Sequence, residues 1–366
     1  MLALILTLDY EVFGDGLGDV GTDVVEPTAR LLDVCNRYEV PVTIFFETAG
    51  YWLYRHDERE RGIAECDAPT TRMVQQVRRA VAEGHDAQLH LHPQLLGAEW
   101  RDGRVHPNMG WTRLADVPHG RGNPDDVLSV TGALHQGRHE LQTMLQPVKG
   151  DYTCRVFRAG YFCAQPSTDV IAGMKRTGLV ADSSVVNGHQ AGSPRACDYR
   201  RAVSNLGYWW TAADDVAHAG PPGENVLELP VYSELCPTPL LMTRHRMGMY
   251  RRVRQRREQL AGDGGSRAAY DLRGRRRLRD YFRYRPKVFD FCLLTGAEMY
   301  RMVRRGLRAA RQRPADELVP MVAMGHSKTF FDPEPLEHLL RIVRKSHGPN
   351  QIRFATMNEI LDRLHS

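Results

Sequence analysis

Residues 2–11 read LALILTLDYE, an apolar run that ends in charge. Seven residues that are apolar except for Thr7 run straight into Asp9, Tyr10 and Glu11. The run is far shorter than the roughly 18–20 residues of a membrane-spanning helix. It also lacks the basic flank and small-residue cleavage site of a secretory leader. It therefore reads as a buried strand, Leu2–Asp9, with charge at its C-terminal end. A mature strand in this position leads us to expect a protein made and used in the cytoplasm.

Beyond this run, strand-like and helix-like segments alternate. Strands are expected at Val40–Phe46, His85–His92, Arg155–Ala159, Leu179–Asp182, Asn225–Val231, Val288–Leu293, Val319–Met324 and Gln351–Thr356. Helices are expected at Pro27–Tyr38, Thr70–Glu83, Pro124–Leu145, Ser167–Thr177, Thr295–Ala310, Pro335–Arg344 and Met357–Leu364, several with apolar residues at helical spacing. Such alternation argues for an α/β fold with a parallel sheet, and seven or eight units fit a closed or nearly closed barrel. One catalytic domain, 1–366, is expected, with insertions at 97–124 and 244–287. The first insertion, rich in Trp, Gly, Pro and His, reads as a long loop after a strand.

Composition agrees with a soluble globular chain: 366 residues, 42% hydrophobic and 25% charged. Seven cysteines, an odd number without a Cys-x-x-Cys pair, read as reduced thiols and not as a disulfide framework. The net charge of +5 conceals an asymmetry. Arg244–Lys287 holds 15 arginines and one lysine against four acids, a net +12, which leaves −7 for the rest. Met249–Leu260 within it can be helical. The segment is either a solvated insertion or a grip for the phosphates of a nucleotide- or lipid-linked sugar, or for anionic lipid headgroups. No recognised nucleic-acid module accompanies it, so no specific nucleic acid is expected.

In a parallel α/β barrel, chemistry gathers at the C-terminal strand ends. Those ends carry Asp9-Tyr10-Glu11, Phe46-Glu47, His90-Leu91-His92, Arg158-Ala159-Gly160-Tyr161, Asp182-Ser183-Ser184 and Gly325-His326-Ser327-Lys328. His90 and His92, two apart on a strand, share a face, as do Asp9 and Glu11. Two imidazoles, a carboxylate and an open position are the usual composition of a catalytic zinc-like site. A second carboxylate and a further histidine supply a base and an acid, and Arg158 can hold a carboxylate ionised. Each pattern alone has a plain structural explanation; their joint occurrence at successive strand ends points to metal-assisted hydrolysis of an amide or ester. Gly14-Asp15-Gly16-Leu17-Gly18 is not read as a dinucleotide loop, because Asp15 and Asp19 would repel phosphates and the third glycine is misplaced. Tyr208-Trp209-Trp210 is either a sugar-stacking platform, with Trp209 binding substrate, or a packed core cluster.

In order, LTLDYE, EGHDAQLHLHP, FRAGY, ADSSV and MGHSK resemble the five motifs of the polysaccharide deacetylases, over most of the chain. LHLHP and GHSK look like a bacterial subgroup found among surface-polysaccharide biosynthesis genes. The resemblance implies an irregular (β/α)7-type deacetylase barrel that hydrolyses the acetamide of an N-acetylated sugar or polysaccharide precursor. It implies a divalent metal, zinc first, with cobalt, nickel, manganese or iron as alternatives. Asp9 would be the general base, Glu11, His90 and His92 the metal ligands, and Arg158 the residue that orients the base. The Tyr161 backbone N–H would stabilise the oxyanion, and His326 would be the general acid. The family's second histidine falls four residues after the first, where this chain has Gln94, so the role moves to His92. The fourth motif keeps Asp182 as a substrate-side carboxylate but has Val185 where the family has a later acid, and Asp290 is the alternative partner of His326. Two other readings remain: a hydrolase of a non-sugar amide or formamide, and a degenerate deacetylase-like scaffold that binds polyanions.

Overall fold

The computed structural model describes residues 1–101, 104–193, 195–261, 283–314 and 317–364. Residues 262–282 of the Arg-rich insertion lie outside the described residues. At the centre stand seven parallel strands: β1 (Leu2–Tyr10), β2 (Val42–Glu47), β3 (Asp86–Leu91), β4 (Val156–Ala159), β5 (Ala181–Asp182), β6 (Leu227–Glu228) and β7 (Val319–His326). Their order is β6-β5-β4-β3-β2-β1-β7. A short strand β8 (Ile352–Phe354) pairs with the first half of β1, from Leu2 to Leu4. The sheet curls: Val186 to Val231 continues the β5–β6 pairing, and a single parallel bridge, Val231 to Val322, joins its far edges. The architecture is thus an α/β barrel with a narrow seam.

Alternation along the strands sorts side chains to two sides. From β1, Leu2, Leu4, Leu6, Leu8 and Tyr10 join the cluster shared with the surrounding helices. Ala3 and Ile5 join a second cluster with Phe45, Val156, Ala181, Val322 and Met324, which fills the barrel interior. Both faces of β1 are buried, as is usual for parallel sheets covered on each side. Each fully buried leucine there contributes about 1.5–3 kcal/mol relative to exposure. The inward positions run Ala3, Ile5, Thr7, Asp9 on β1 and Asp86, Gln88, His90 on β3. On β4 they are Val156 and Arg158, and on β7 Val322, Met324 and His326. The final inward residue on each of these strands is therefore charged or titratable.

The lower end is stoppered by the C-terminal helix Met357–Leu364, whose Met357, Ile360 and Leu361 enter the interior cluster. Its first turn is held by the barrel: Met357 N donates to Thr43 Oγ1 (2.9 Å) and Asn358 N to Asp86 Oδ2 (3.2 Å).

The outer helices include α1 (Glu26–Arg37), α2 (Thr48–Glu60), α3 (Pro69–Ala82), α4 (Val130–Leu145), α5 (Thr168–Thr177), α6 (Arg244–Ala261), α7 (Gly296–Ala310) and α8 (Glu334–Ser346). Several expectations are corrected. α4 begins at Val130 instead of Pro124, where Ser129 caps it by accepting from Gly132 N. The expected strand Val288–Leu293 is displaced to Tyr284–Val288, which forms an antiparallel ribbon with Ser233–Pro237; beyond it only Asp290 bridges to β7. The loop after β3 carries its own hairpin, Glu99–Arg101 with Arg104–His106. α2 had no apolar periodicity strong enough to announce it; its start is set by Glu47, which accepts from Ala49 N and Gly50 N. α6 spans more than the expected Met249–Leu260. No helix among the described residues is long and apolar enough to cross a membrane.

Candidate functional site

Asp9, Arg158, His90 and His326 converge because each is the last inward residue of its strand, and register aligns those ends. Asp9 stands opposite His326, and His90 opposite Arg158. Arg158 is fully buried, its guanidinium 3.9 Å from the centre of the Phe45 ring. It donates to Asp9 Oδ1 (2.6 Å), Thr7 Oγ1 (3.0 Å), Ser183 O (3.0 Å) and Ser183 Oγ (3.1 Å). Thr7 and Ser183 pass their own protons to Ala323 O and Leu229 O. One guanidinium thereby ties together β1, β4, β7 and the segments after β5 and β6. Burial by itself would raise the Asp9 carboxyl; Arg158 and the imidazoles of His90 and His326 outweigh it and hold Asp9 below its ordinary value.

Glu11 lies just past β1. Its Oε2 is 3.1 Å from His90 Nε2 and 2.6 Å from His92 Nε2. Its Oε1 receives Lys328 Nζ, which also donates to Val12 O (3.1 Å). Burial opposes the Glu11 charge, but Lys328, His92 and His90 hold the carboxyl well below its usual range. Ser327 Oγ fixes the main chain here, donating to Glu11 O (2.9 Å) and accepting from Glu11 N (3.1 Å).

Glu11, His90 and His92 form a buried group whose donor atoms lie within 4.8 Å of one another; Asp9, Glu11 and the partly exposed His326 form a second group just as close. The hydrogen bonds around the first group test whether it fits a cation. His90 Nδ1 faces Arg158 O at 2.8 Å, and a carbonyl can only accept, so Nδ1 carries the proton. Nε2 then faces a carboxylate oxygen, and although burial opposes it, Glu11 and Asp9 raise the imidazole; the site calls for positive charge between Nε2 and Glu11, which a proton or a metal ion supplies. His92 Nδ1 faces the Gln94 amide at 2.8 Å, while the buried Gln94 Oε1 has no partner. Turning that amide over would give Nδ1–H an acceptor and free Nε2 for a cation. The turn also sets Oε1 3.0 Å from Gly14 O, which the Tyr161 hydroxyl (3.0 Å) then serves alone. Two imidazoles, each held through its other nitrogen, and one carboxylate fit a divalent metal.

His326 is partly exposed at the rim, with Nε2 3.6 Å from Asp9 Oδ2 and 3.9 Å from Glu11 Oε1. Burial and the neighbouring Lys328 push its imidazole down to about 4, so it is neutral at pH 7. Tyr161 and Phe162 follow Gly160 with φ of 56° and 60°, a left-handed backbone that costs non-glycine residues of order 1–3 kcal/mol each. The Tyr161 ring stands edge-on to His92 at 4.8 Å with Arg195 over it at 3.8 Å. A Cβ on Gly160 would come within 2.7 Å of His92 Nδ1, so only glycine leaves room for that ring.

Three substrate-side expectations are corrected. Asp182 is fully buried between β5 and β6, bonded to Ser184 Oγ (2.8 Å) and opposite Glu228; burial raises both carboxyls. It does not open on the cleft. Trp209 is a core residue, its indole N–H given to Val216 O (2.9 Å), and presents no stacking face. Asp290 is buried and pushed up to about 6; its Oδ1 accepts from Cys292 N (2.8 Å), and no hydrogen bond joins it to His326 among the described residues. Glu47, at a strand end, is a helix cap that also accepts from His92 N (2.9 Å). Lys328, Gln94 and Ser327 are contact residues of the site to which sequence reasoning gave no role. Lys328 and Ser327 stood in the quoted GHSK, but their partners are more than 300 positions away.

No family model matches the chain, and no curated protein matches it. Solved structures with a similar overall shape include one assigned as a polysaccharide deacetylase from Mycobacterium smegmatis. It is 13% identical, with a TM-score of 0.46 over 100% of this chain and 90% of that one. Another is the Puue allantoinase, 14% identical with a TM-score of 0.45, over 100% and 90% of the two chains. A third is assigned as a polysaccharide deacetylase from Pseudomonas aeruginosa PAO1, 14% identical with a TM-score of 0.44, over 100% and 91%.

Proposed function

We propose that this chain is a metal-dependent hydrolase that removes the acetyl group from an N-acetylated sugar or polysaccharide precursor. The observation that carries the reading is Asp9, kept ionised by Arg158 at 2.6 Å beside the Glu11, His90 and His92 group. Those three residues would hold the ion, zinc first. When bound, it supplies Lewis-acid polarisation of the amide carbonyl and a nucleophile at neutral pH.

The rest of the reaction falls to the chain. Asp9 takes the proton of the attacking water, while Arg158 keeps the carboxylate oriented and charged. The backbone N–H of Tyr161 stabilises the oxyanion at the edge of the site. His326 hands a proton to the departing amine. At pH 7 it starts as the neutral imidazole, and it can receive that proton from Asp9, 3.6 Å away. The products are acetate and a free amino sugar. All seven cysteines are free, which suits a reducing compartment such as the cytoplasm.

The test incubates purified protein with N-acetylated nucleotide sugars and oligosaccharides, with and without added zinc, and measures acetate. Non-sugar acetamides and formamides run in parallel. Metal-dependent release from the sugars is expected, with Asp9→Asn slowing it by about 10²–10⁴ while retaining metal. Full activity of His90→Ala without bound metal would sink the mechanism, and hydrolysis confined to non-sugar amides would move the substrate class.

A further inference from the structure

Eight large apolar side chains stand exposed among the described residues, and five of them lie on one lobe. The ribbon pairs Leu235 with Pro286 and Pro237 with Tyr284, so these four share one face. Leu235 is 53% and Tyr284 66% exposed on it. The chain runs on from Pro237 through Leu240 (63%) and Met242 (44%) into α6, where Met247 is 39% exposed. Soluble surfaces scatter such residues singly; a cluster marks a contact.

Exposed arginines flank the apolar tips on α6: Arg244, Arg251, Arg252 and Arg254; Arg285, opposite Cys236, points from the ribbon's other face. The acids of the lobe's described part are already engaged, Glu234 by Arg305 and Glu258 by Arg254 at 3.1 Å. Positive charge therefore dominates the outer side. The lobe is anchored at the site end of the barrel. Arg256 grips Asp23 (2.7 Å), and Arg257 pairs with Asp15 and lies 5.0 Å from the centre of the Phe13 ring, on the loop that continues from Glu11.

We propose that this lobe is a docking surface for an anionic lipid bilayer. Leucine, methionine and tyrosine tips enter the acyl boundary, and the arginines meet the headgroup phosphates. A nucleic acid would satisfy the arginines but would leave the aliphatic tips in water, which is why a bilayer fits better. Docking would face the catalytic end of the barrel toward the membrane surface, where a lipid-linked sugar would be presented. The surface itself does not depend on the reaction proposed above, and its test uses no substrate.

The test is sedimentation of the full chain with vesicles of phosphatidylcholine alone, or with one third phosphatidylglycerol, at low and physiological salt. Binding is expected only to the anionic vesicles. The variant Leu240→Ser/Met242→Ser/Tyr284→Ser, unchanged in charge, should bind at least about tenfold more weakly. Arg251→Glu/Arg252→Glu, at two exposed positions, should lose at least about tenfold as well. Melting curves establish that each variant is folded, and the charge variant decides the matter if the apolar one is not. No binding of the folded wild type to anionic vesicles overturns the proposal. So does binding that both variants retain, or binding that the folded apolar variant retains in full. Retention on single-stranded DNA without vesicle binding overturns it in favour of a polyanion contact.

Discussion

At the residue scale, the site is a set of charges that hold one another in place. Asp9 can stay ionised in a buried position only because Arg158 donates to it, and Arg158 can be buried only because Asp9, Thr7 and Ser183 receive it. Removing one partner leaves an uncompensated charge, so Arg158→Met should destabilise the fold by about 3–5 kcal/mol in urea titrations. Glu11→Gln, which also leaves Lys328 without its carboxylate, should lose the metal, read by elemental analysis of the folded fraction after dialysis. Gly160→Ala drives a methyl into the His92 ring and should weaken metal retention although Gly160 touches no ion itself. Asp9, Glu11, His90, His92, Arg158 and His326 could be picked out in the sequence because each ends or immediately follows an apolar run. Gln94 and Lys328 could not be given work, because what they do depends on contacts with a neighbouring ring or with a carboxylate at the opposite end of the chain.

At the element scale, polar residues at strand ends divide into those that face the cleft and those that start the next helix. Glu47 belongs to the second kind, since its carboxylate receives the first turn of α2 and the His92 amide together. Glu47→Ala should cost about 1–2 kcal/mol in chemical denaturation from the lost cap. It should also loosen His92, seen as weaker metal retention, whereas an ordinary cap loss would leave the metal alone. Thr295 and Glu298 make the reciprocal cap of α7, a Ser/Thr-x-x-Glu pattern plain in the sequence. Helix positions with strong apolar periodicity were legible for the same local reason. The Tyr284–Val288 ribbon strand was not, because its partner Ser233–Pro237 lies some 50 residues away and only pairing makes either segment extended. Trp209 misled for a related reason: an aromatic run looks alike whether it packs inward or meets a sugar.

For the whole molecule, the alternation of strands and helices foretold the barrel, while its seam at Val231 rests on a single bridge that no local pattern encodes. The buried carboxyls away from the cleft set a pH dependence. Asp86, bonded to Gln88 and Asn358, is raised by burial from 3.8 to about 6. The folded state therefore binds this proton more tightly than the unfolded chain does. Its contribution is full below pH 3.8, declines as pH rises, and is gone above about 6. The stability difference between wild type and Asp86→Asn should shift by about 2–3 kcal/mol against the wild type between pH 4 and 7, measured by urea denaturation at each pH. Asp182 and Glu228, both raised by burial, act in the same direction. A flat difference would show that Asp86 carries no such proton.

The position of β1 has a consequence for how the chain is made. Leu2 pairs with Val319 on one side and Ile352 on the other, so this strand, once made, waits for two partners that follow it by more than 300 residues. At typical elongation rates the wait is on the order of tens of seconds. During it an apolar strand has β2 for company along only one edge. Nascent chains arrested before Val319 should bind holdase chaperones through residues 2–10, and those released after Phe354 should not.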